Sequence, residues 1–437
     1  MRPSSSAARL IAECAEPIDR IHDADLGPLL ERIGDARVVL LGESTLGTSE
    51  FYRMRARITQ ELVMRRGFGV IAVDDDGADA AAIDRYLRDL PARPRAAPPF
   101  TGFPAWRWRN RETQQVIDWL RWYNHALAAP GAEIRGAGLD VYGTFAAATA
   151  IVGYLGRVDA VAAAAARDRY AQLASPPRGA ELEPDVADRL REHEDVVVAM
   201  LRERLARRLD EAREDAADVV DDAHHVALLA GADRYYRALC DGAAPVWGLR
   251  DQHLFDSLEA LLARQGPAGK VIVWQHNVHA GDASATELGA GGARSVGQRC
   301  RARFGDAAYL IGFGTDSGTV AAAPAWGAPV ERVWMPPARA DSYERLLHEA
   351  RVPAALLALR DPARPALRDE LIGPRLERAV GAVYRPGDEL ARDYLRASLP
   401  AQFDEYIWFE ETSAVTALGG AGRALGPQHP FAAVGHA

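Results

Sequence analysis

The sequence has 437 residues, 48% apolar and 26% charged, with 9 Trp, which is material for a large core and excludes a disordered or low-complexity chain. Its 52 basic and 61 acidic residues leave a net charge of -9, and no run of basic residues stands clear of interleaved acids, so a nucleic-acid binder is not expected. Cys14, Cys240 and Cys300 lie far apart with no CxxC pair, which argues against a disulfide framework and against a cysteine-built metal site. The N-terminal stretch meets acidic residues before any apolar run, and no segment of about 18 consecutive apolar residues occurs. The expected location is the cytoplasm, with no membrane association.

Short apolar runs alternate with long amphipathic stretches, the pattern of an α/β protein with a mostly parallel central sheet flanked by helices. Expected strands run from Arg37 to Leu41, Val70 to Val73, Ile134 to Leu139, Val271 to Trp274, Tyr309 to Phe313 and Glu405 to Phe409. Between the first two, Phe51, Met54, Ile58 and Leu62 recur at helical spacing, predicting a helix from Ser49 to Arg66 closed by Gly67. Residues 1–144 read as the N-terminal half of the core. They include a loop, 90–104, whose five prolines bar helix continuation and suit it to cover a cleft. Residues 145–264 are rich in Ala, Leu, Arg and Glu with almost no strand signal and read as a large helical insertion. Residues 265–437 read as the C-terminal half of the core.

Open α/β sheets place ligands at the carboxyl ends of their strands. Three expected strand ends carry polar clusters. Glu43 follows the first, in Gly-Glu-Ser-Thr-Leu-Gly; the spacing and missing lysine exclude a phosphate-binding P-loop. Asp74, Asp75 and Asp76 follow the second, either as part of a site or as an exposed acidic turn. The run Gln275-His276-Asn277-Val278-His279 follows the strand at Val271, and two imidazoles there can serve as acid and base or as metal ligands. No compact metal signature such as HExxH accompanies them, so no metal and no cofactor is expected. Phe103 and Trp106, at the end of the proline-rich loop, are candidates for an apolar substrate wall, whereas Trp119 and Trp122 sit at core-like helical spacing.

Taken together, these segments resemble the erythromycin esterase family. The stretch VVLLGESTLGTSEFYRMRARI is similar to its first block, FPAWRWRNRETQQVIDWLRWYN to its second, and DRYYRALCDG, LRDQHLFDSL, VIVWQHNVHAGDASATELG, IGFGTDSGTVAAA and FDEYIWFEETSAV follow in the family's order. The resemblance implies an α/β core with a helical insertion and metal-independent hydrolysis of lactones. On matching positions it implies catalytic roles for Glu43, Arg55, Asp74, His276 and His279. Arg250 and Glu287 match further blocks.

The departures are informative. Where the family places its water-activating histidine this chain has Leu46, which cannot take a proton. Asp74-Asp75-Asp76-Gly77 replaces a Glu-Ala-Asp-Trp run, and Trp408 stands where a histidine is expected. Leu46, Asp75, Phe103, Trp106, Arg250, Glu287 and Trp408 are therefore read as substrate-binding positions of a drier pocket. The expected function is acid/base catalysis on a small secondary-metabolite substrate, polyketide- or peptide-derived, by cyclisation, elimination or intramolecular transfer. A lactone hydrolase using His276 or His279 as base, and a non-catalytic small-molecule-binding relative, are the alternatives.

Overall fold

The computed structural model describes residues 5–91, 98–101, 104–129, 132–140 and 246–418. The strands are β1 (Glu16–Pro17), β2 (Val38–Leu41), β3 (Val70–Asp76), β4 (Arg135–Asp140), β5 (Val271–Trp274), β6 (Ala308–Ala322), β7 (Glu331–Met335), β8 (Ala354–Ala358), β9 (Arg375–Arg378), β10 (Tyr394–Ala397) and β11 (Glu405–Thr412). Nine of them form one sheet in the order β1-β8-β11-β6-β2-β5-β3-β4 with β7 on β6, while β9 and β10 form a separate antiparallel pair. At its centre β5, β2, β6 and β11 run parallel to one another, and β1, β7 and β8 pair antiparallel at the margins.

β2 and β5 are buried at every position, as expected of apolar tetrapeptides covered on both faces. The helix Ser49–Arg66 forms where its periodicity predicts. Phe51, Met54, Ile58 and Leu62 are all fully buried, and Gly67 ends the helix at φ 70°, a left-handed conformation that glycine adopts without a Cβ penalty. The helix Arg111–Ala126 starts at Asn110, whose side chain accepts from the Thr113 N–H, and buries Val116, Ile117 and Leu120. Trp122 departs from the sequence reading: it is 53% exposed, and the Trp119 ring stacks on Tyr123 at 5.4 Å rather than joining the core.

The acidic run after Val73 is a second correction. β3 continues through Asp76, and Asp74 and Asp75 are buried strand residues, not an exposed turn. β8 was invisible to pattern reading because Ala-Ala-Leu-Leu-Ala carries no β-branched signal; its strand form comes from pairing with β11 and β1.

The chain divides into two compact units, residues 1–72, 82–136 and 265–437 forming one, and 73–81 and 137–264 the other. Of the expected helical insertion, 145–245 lie outside the described residues; 246–264 belong to the helix Val246–Gln265. Most of the proline-rich stretch, at 92–97 and 102–103, also lies outside them. Among the described residues no helix is long and apolar enough to cross a membrane.

Candidate active site

β2 and β5 are parallel neighbours with Leu41 abreast of Trp274, so the segments leaving their carboxyl ends meet. The Gln275 N–H donates to the Leu41 carbonyl at 3.1 Å and the Asn277 N–H to the Glu43 carbonyl at 2.8 Å. Gly42 makes this possible, since a Cβ there would run into the Asn277 side chain and the Ile311 carbonyl. The following loop is fastened by Val380, whose N–H donates to the Ser44 carbonyl at 2.7 Å and whose carbonyl accepts from the Leu46 N–H at 3.3 Å.

The Glu43 carboxylate is wholly buried between two guanidinium groups. Arg55 Nη2 donates to its Oε2 at 2.7 Å, and Arg107 Nη2 to its Oε1 at 3.4 Å. Arg55, also wholly buried, lies 4.4 Å from the Tyr52 ring centroid and 4.6 Å from that of Trp274, so aromatic faces supply part of what water would. Arg55 Nε and Nη1, Ser44 Oγ, both amide atoms of Gln275 and His276 Nε2 are buried with no hydrogen-bond partner in the protein. An unsatisfied buried polar group costs roughly 1–3 kcal/mol, a cost that water or a polar ligand at this place would offset.

His276 caps the short helix Asn277–Ala280, its Nδ1 accepting from the Val278 N–H at 3.3 Å. The neutral ring then carries its proton on Nε2. Burial, and behind it the nearby His279 and Arg107, lower its pKa to about 3, against a weaker pull from the backbone of Ser44 and Val380. His276 is thus a neutral donor at ordinary pH. His279, also buried, follows one turn later on the same helix.

Asn277 ties this helix to the core. Its Nδ2 donates to the Phe313 carbonyl at 2.8 Å and to Glu377 Oε1 at 3.0 Å, and its Oδ1 accepts from the Phe313 N–H at 3.2 Å. Burial and the neighbouring Glu344 push the Glu377 carboxyl up to about 8, against hydrogen bonds from Asn277 and Gln402. Because this folded pKa exceeds the unfolded value, the protonated acid contributes stability that is complete below about pH 4.5 and is lost as pH rises through about 8. Glu377→Gln, which imitates the protonated acid, is expected to flatten this part of the pH dependence. Melting temperatures from pH 4.5 to 8 check it, and parallel curves for both proteins would count against a protonated Glu377.

The other anticipated residues fall in different places. Leu46 is half-buried and its carbonyl accepts from the Tyr52 hydroxyl at 2.9 Å. Trp106 is buried, its Nε1 donating to the Ala321 carbonyl at 3.1 Å. Trp408 lies inside β11 with its Nε1 on the Val352 carbonyl at 3.0 Å. Glu287 is exposed in the first turn of the helix Glu287–Ala290. Phe103 lies outside the described residues. Within the second unit Asp74 and Asp75 are buried, and Arg250 Nε pairs with Asp140 Oδ2 at 3.0 Å. Asp140, Arg107, Asn277 and Glu377 escaped sequence reading. The first ends β4, so the strand-end rule would have found it; Arg107 and Glu377 have no such mark.

These features define an α/β protein whose sheet presents a buried carboxylate, guanidinium and imidazole cluster at its carboxyl edge. Residues 63–412 match the erythromycin esterase family model, and the chain belongs to that family. The matched span begins inside the helix Ser49–Arg66, beyond Glu43, Leu46 and Arg55. The fold is similar to a solved succinoglycan biosynthesis protein (TM-score 0.65, 21% identity, 94% of this chain and 98% of that one). It is equally similar to a Bacillus cereus protein (TM-score 0.65, 18% identity, 94% and 98%). A mutant of the erythromycin esterase EreC in its open conformation aligns at TM-score 0.54 and 16% identity, covering 97% of this chain and 99% of that one. Family membership suggests an enzyme, a hydrolase of small-molecule substrates.

Proposed function

We propose that this member performs metal-independent acid/base chemistry on a small organic substrate at Glu43, Arg55, Arg107, His276 and His279. We further propose a reaction that avoids activated water: cyclisation, elimination or intramolecular transfer on a polyketide- or peptide-derived secondary metabolite. The observation that carries this reading is the pairing of a buried, ion-paired Glu43 with an aliphatic residue at position 46, on the same loop, in place of a proton acceptor. Arg55 and the His276 Nε2–H supply donors to a substrate oxygen that gains negative charge. His279 accepts the proton, since His276 is occupied at Nδ1 and too weakly basic.

Asp74, Asp75 and Arg250 enter this proposal as substrate or catalytic contacts through their match to the family pattern, as do Glu287, Phe103, Trp106 and Trp408 as binding positions. A lactone hydrolase with His279 as base is the second reading, favoured by family membership. Either way the groups named exchange protons directly, so turnover is expected to survive exhaustive chelation. Loss of activity on chelation in protein that stays folded, restored by one metal ion per chain, would contradict a metal-independent mechanism. The two readings separate on water consumption, measured by mass spectrometry across a panel of esters and lactones.

A further inference from the structure

A second polar cluster lies away from Glu43, where β6 and β11 emerge side by side. Phe409 stands abreast of Thr315 and Glu411 of Ser317, so Glu410 and Asp316 are parallel neighbours. Two carboxylates in that relation repel, a cost that a cation between them relieves. The helix Tyr343–Ala350 brings His348 there: one ring atom, Nδ1, faces both acids, touching Glu410 Oε1 and lying 3.9 Å from Asp316 Oδ2.

The geometry points to a divalent metal site formed by Asp316, His348 and Glu410. One donor atom from each lies within 4.8 Å of the others. The three come from three separate elements of the same compact unit, as a site that staples a helix to a sheet requires. Asp316 Oδ1 is held by the Ala338 N–H at 3.2 Å, which orients the carboxylate and leaves Oδ2 toward His348. Glu410 Oε2 is a buried oxygen with no hydrogen-bond partner in the protein, available to a cation. The cluster borders a pocket of about 570 Å³ lined by Arg345, His348, Glu349, Arg351, Pro353 and Glu410, which leaves coordination positions open to a small ligand. One nitrogen and two carboxylate donors suit Zn²⁺ or Mn²⁺, with bonds of about 2.0–2.2 Å for zinc.

The test is titration of Zn²⁺ and Mn²⁺ into chelator-stripped full-length protein, followed by calorimetry and elemental analysis. One equivalent is expected to bind and to raise the melting temperature. His348→Gln and Glu410→Gln are each expected to weaken binding by roughly 100-fold or more, beyond the roughly 10- to 100-fold that loss of an outer-sphere partner costs. Glu43→Gln is expected to leave it unchanged. Because His348→Gln also removes the contact with Glu410 and can disturb folding, Co²⁺-loaded wild type supplies a second readout, the paramagnetically shifted protons of a single coordinated imidazole. Failure to bind, binding unchanged in a folded His348→Gln variant, or a Co²⁺ form without exactly one shifted imidazole would each overturn the site. None of these results bears on the reaction at Glu43, which is read separately by whether its product takes up oxygen from labelled water.

Discussion

Arg55→Met is expected to cost about 3–5 kcal/mol of folding stability, the loss characteristic of breaking a buried ion pair by removing one partner. Both side chains are fully shielded, and without Arg55 the Glu43 carboxylate keeps only the longer Arg107 contact at 3.4 Å. The Tyr52 and Trp274 rings lose the cation between them at the same time. Methionine fills much of the volume but leaves the charge uncompensated. Adding Glu43→Gln removes that charge, so the double variant is expected to be less destabilised than the sum of the two single changes. Urea unfolding of the four proteins checks the cycle. Additive losses, or a cost for Arg55→Met below about 1 kcal/mol, would mean that the pair is not coupled as the geometry indicates.

On the non-hydrolytic reading proposed above, Leu46→His is expected to create lactone hydrolysis. General-base assistance contributes roughly 100- to 10,000-fold in rate, and the new imidazole stands three residues from Glu43 on the same loop. Leu46 is half-buried on the loop that also carries Glu43. A carboxylate nearby favours the charged form of such a ring and helps orient it. The native reaction is expected to fall in the same variant, because water admitted beside the base competes with the substrate's own groups. Kinetic assays of both proteins on a macrolide lactone and on the native substrate, once found, read the two effects separately.

Much of this architecture was legible in the sequence where local pattern and tertiary setting agree. The helix Ser49–Arg66 is an example: its apolar stripe, its length and Gly67 all specify the same element. The meeting of the two segments that follow β2 and β5 was legible for a different reason, since two parallel strands, each followed by polar residues, leave those residues at one edge. What stayed hidden depends on partners far along the chain. Arg107 reaches Glu43 from a one-turn 3₁₀ segment whose neighbours are aromatic, and nothing in its spacing distinguishes it from Arg109 or Arg111. Asp74 and Asp75 look like a solvated turn because three adjacent acids normally seek water, yet β3 carries both into burial. Trp122 looked like core because helical spacing identifies a face and not which neighbour covers it.

The most direct measurement of the central claim is heavy-oxygen incorporation. Wild type and Leu46→His are incubated with a macrolide lactone in isotopically labelled water, and the products are weighed by mass spectrometry. If position 46 withholds the water-activating base, wild type opens the ring no faster than buffer and carries no enzyme-dependent label, while Leu46→His yields ring-opened acid with one labelled oxygen. Labelled product from wild type at a rate equal to its turnover would contradict the account and assign the base to His279.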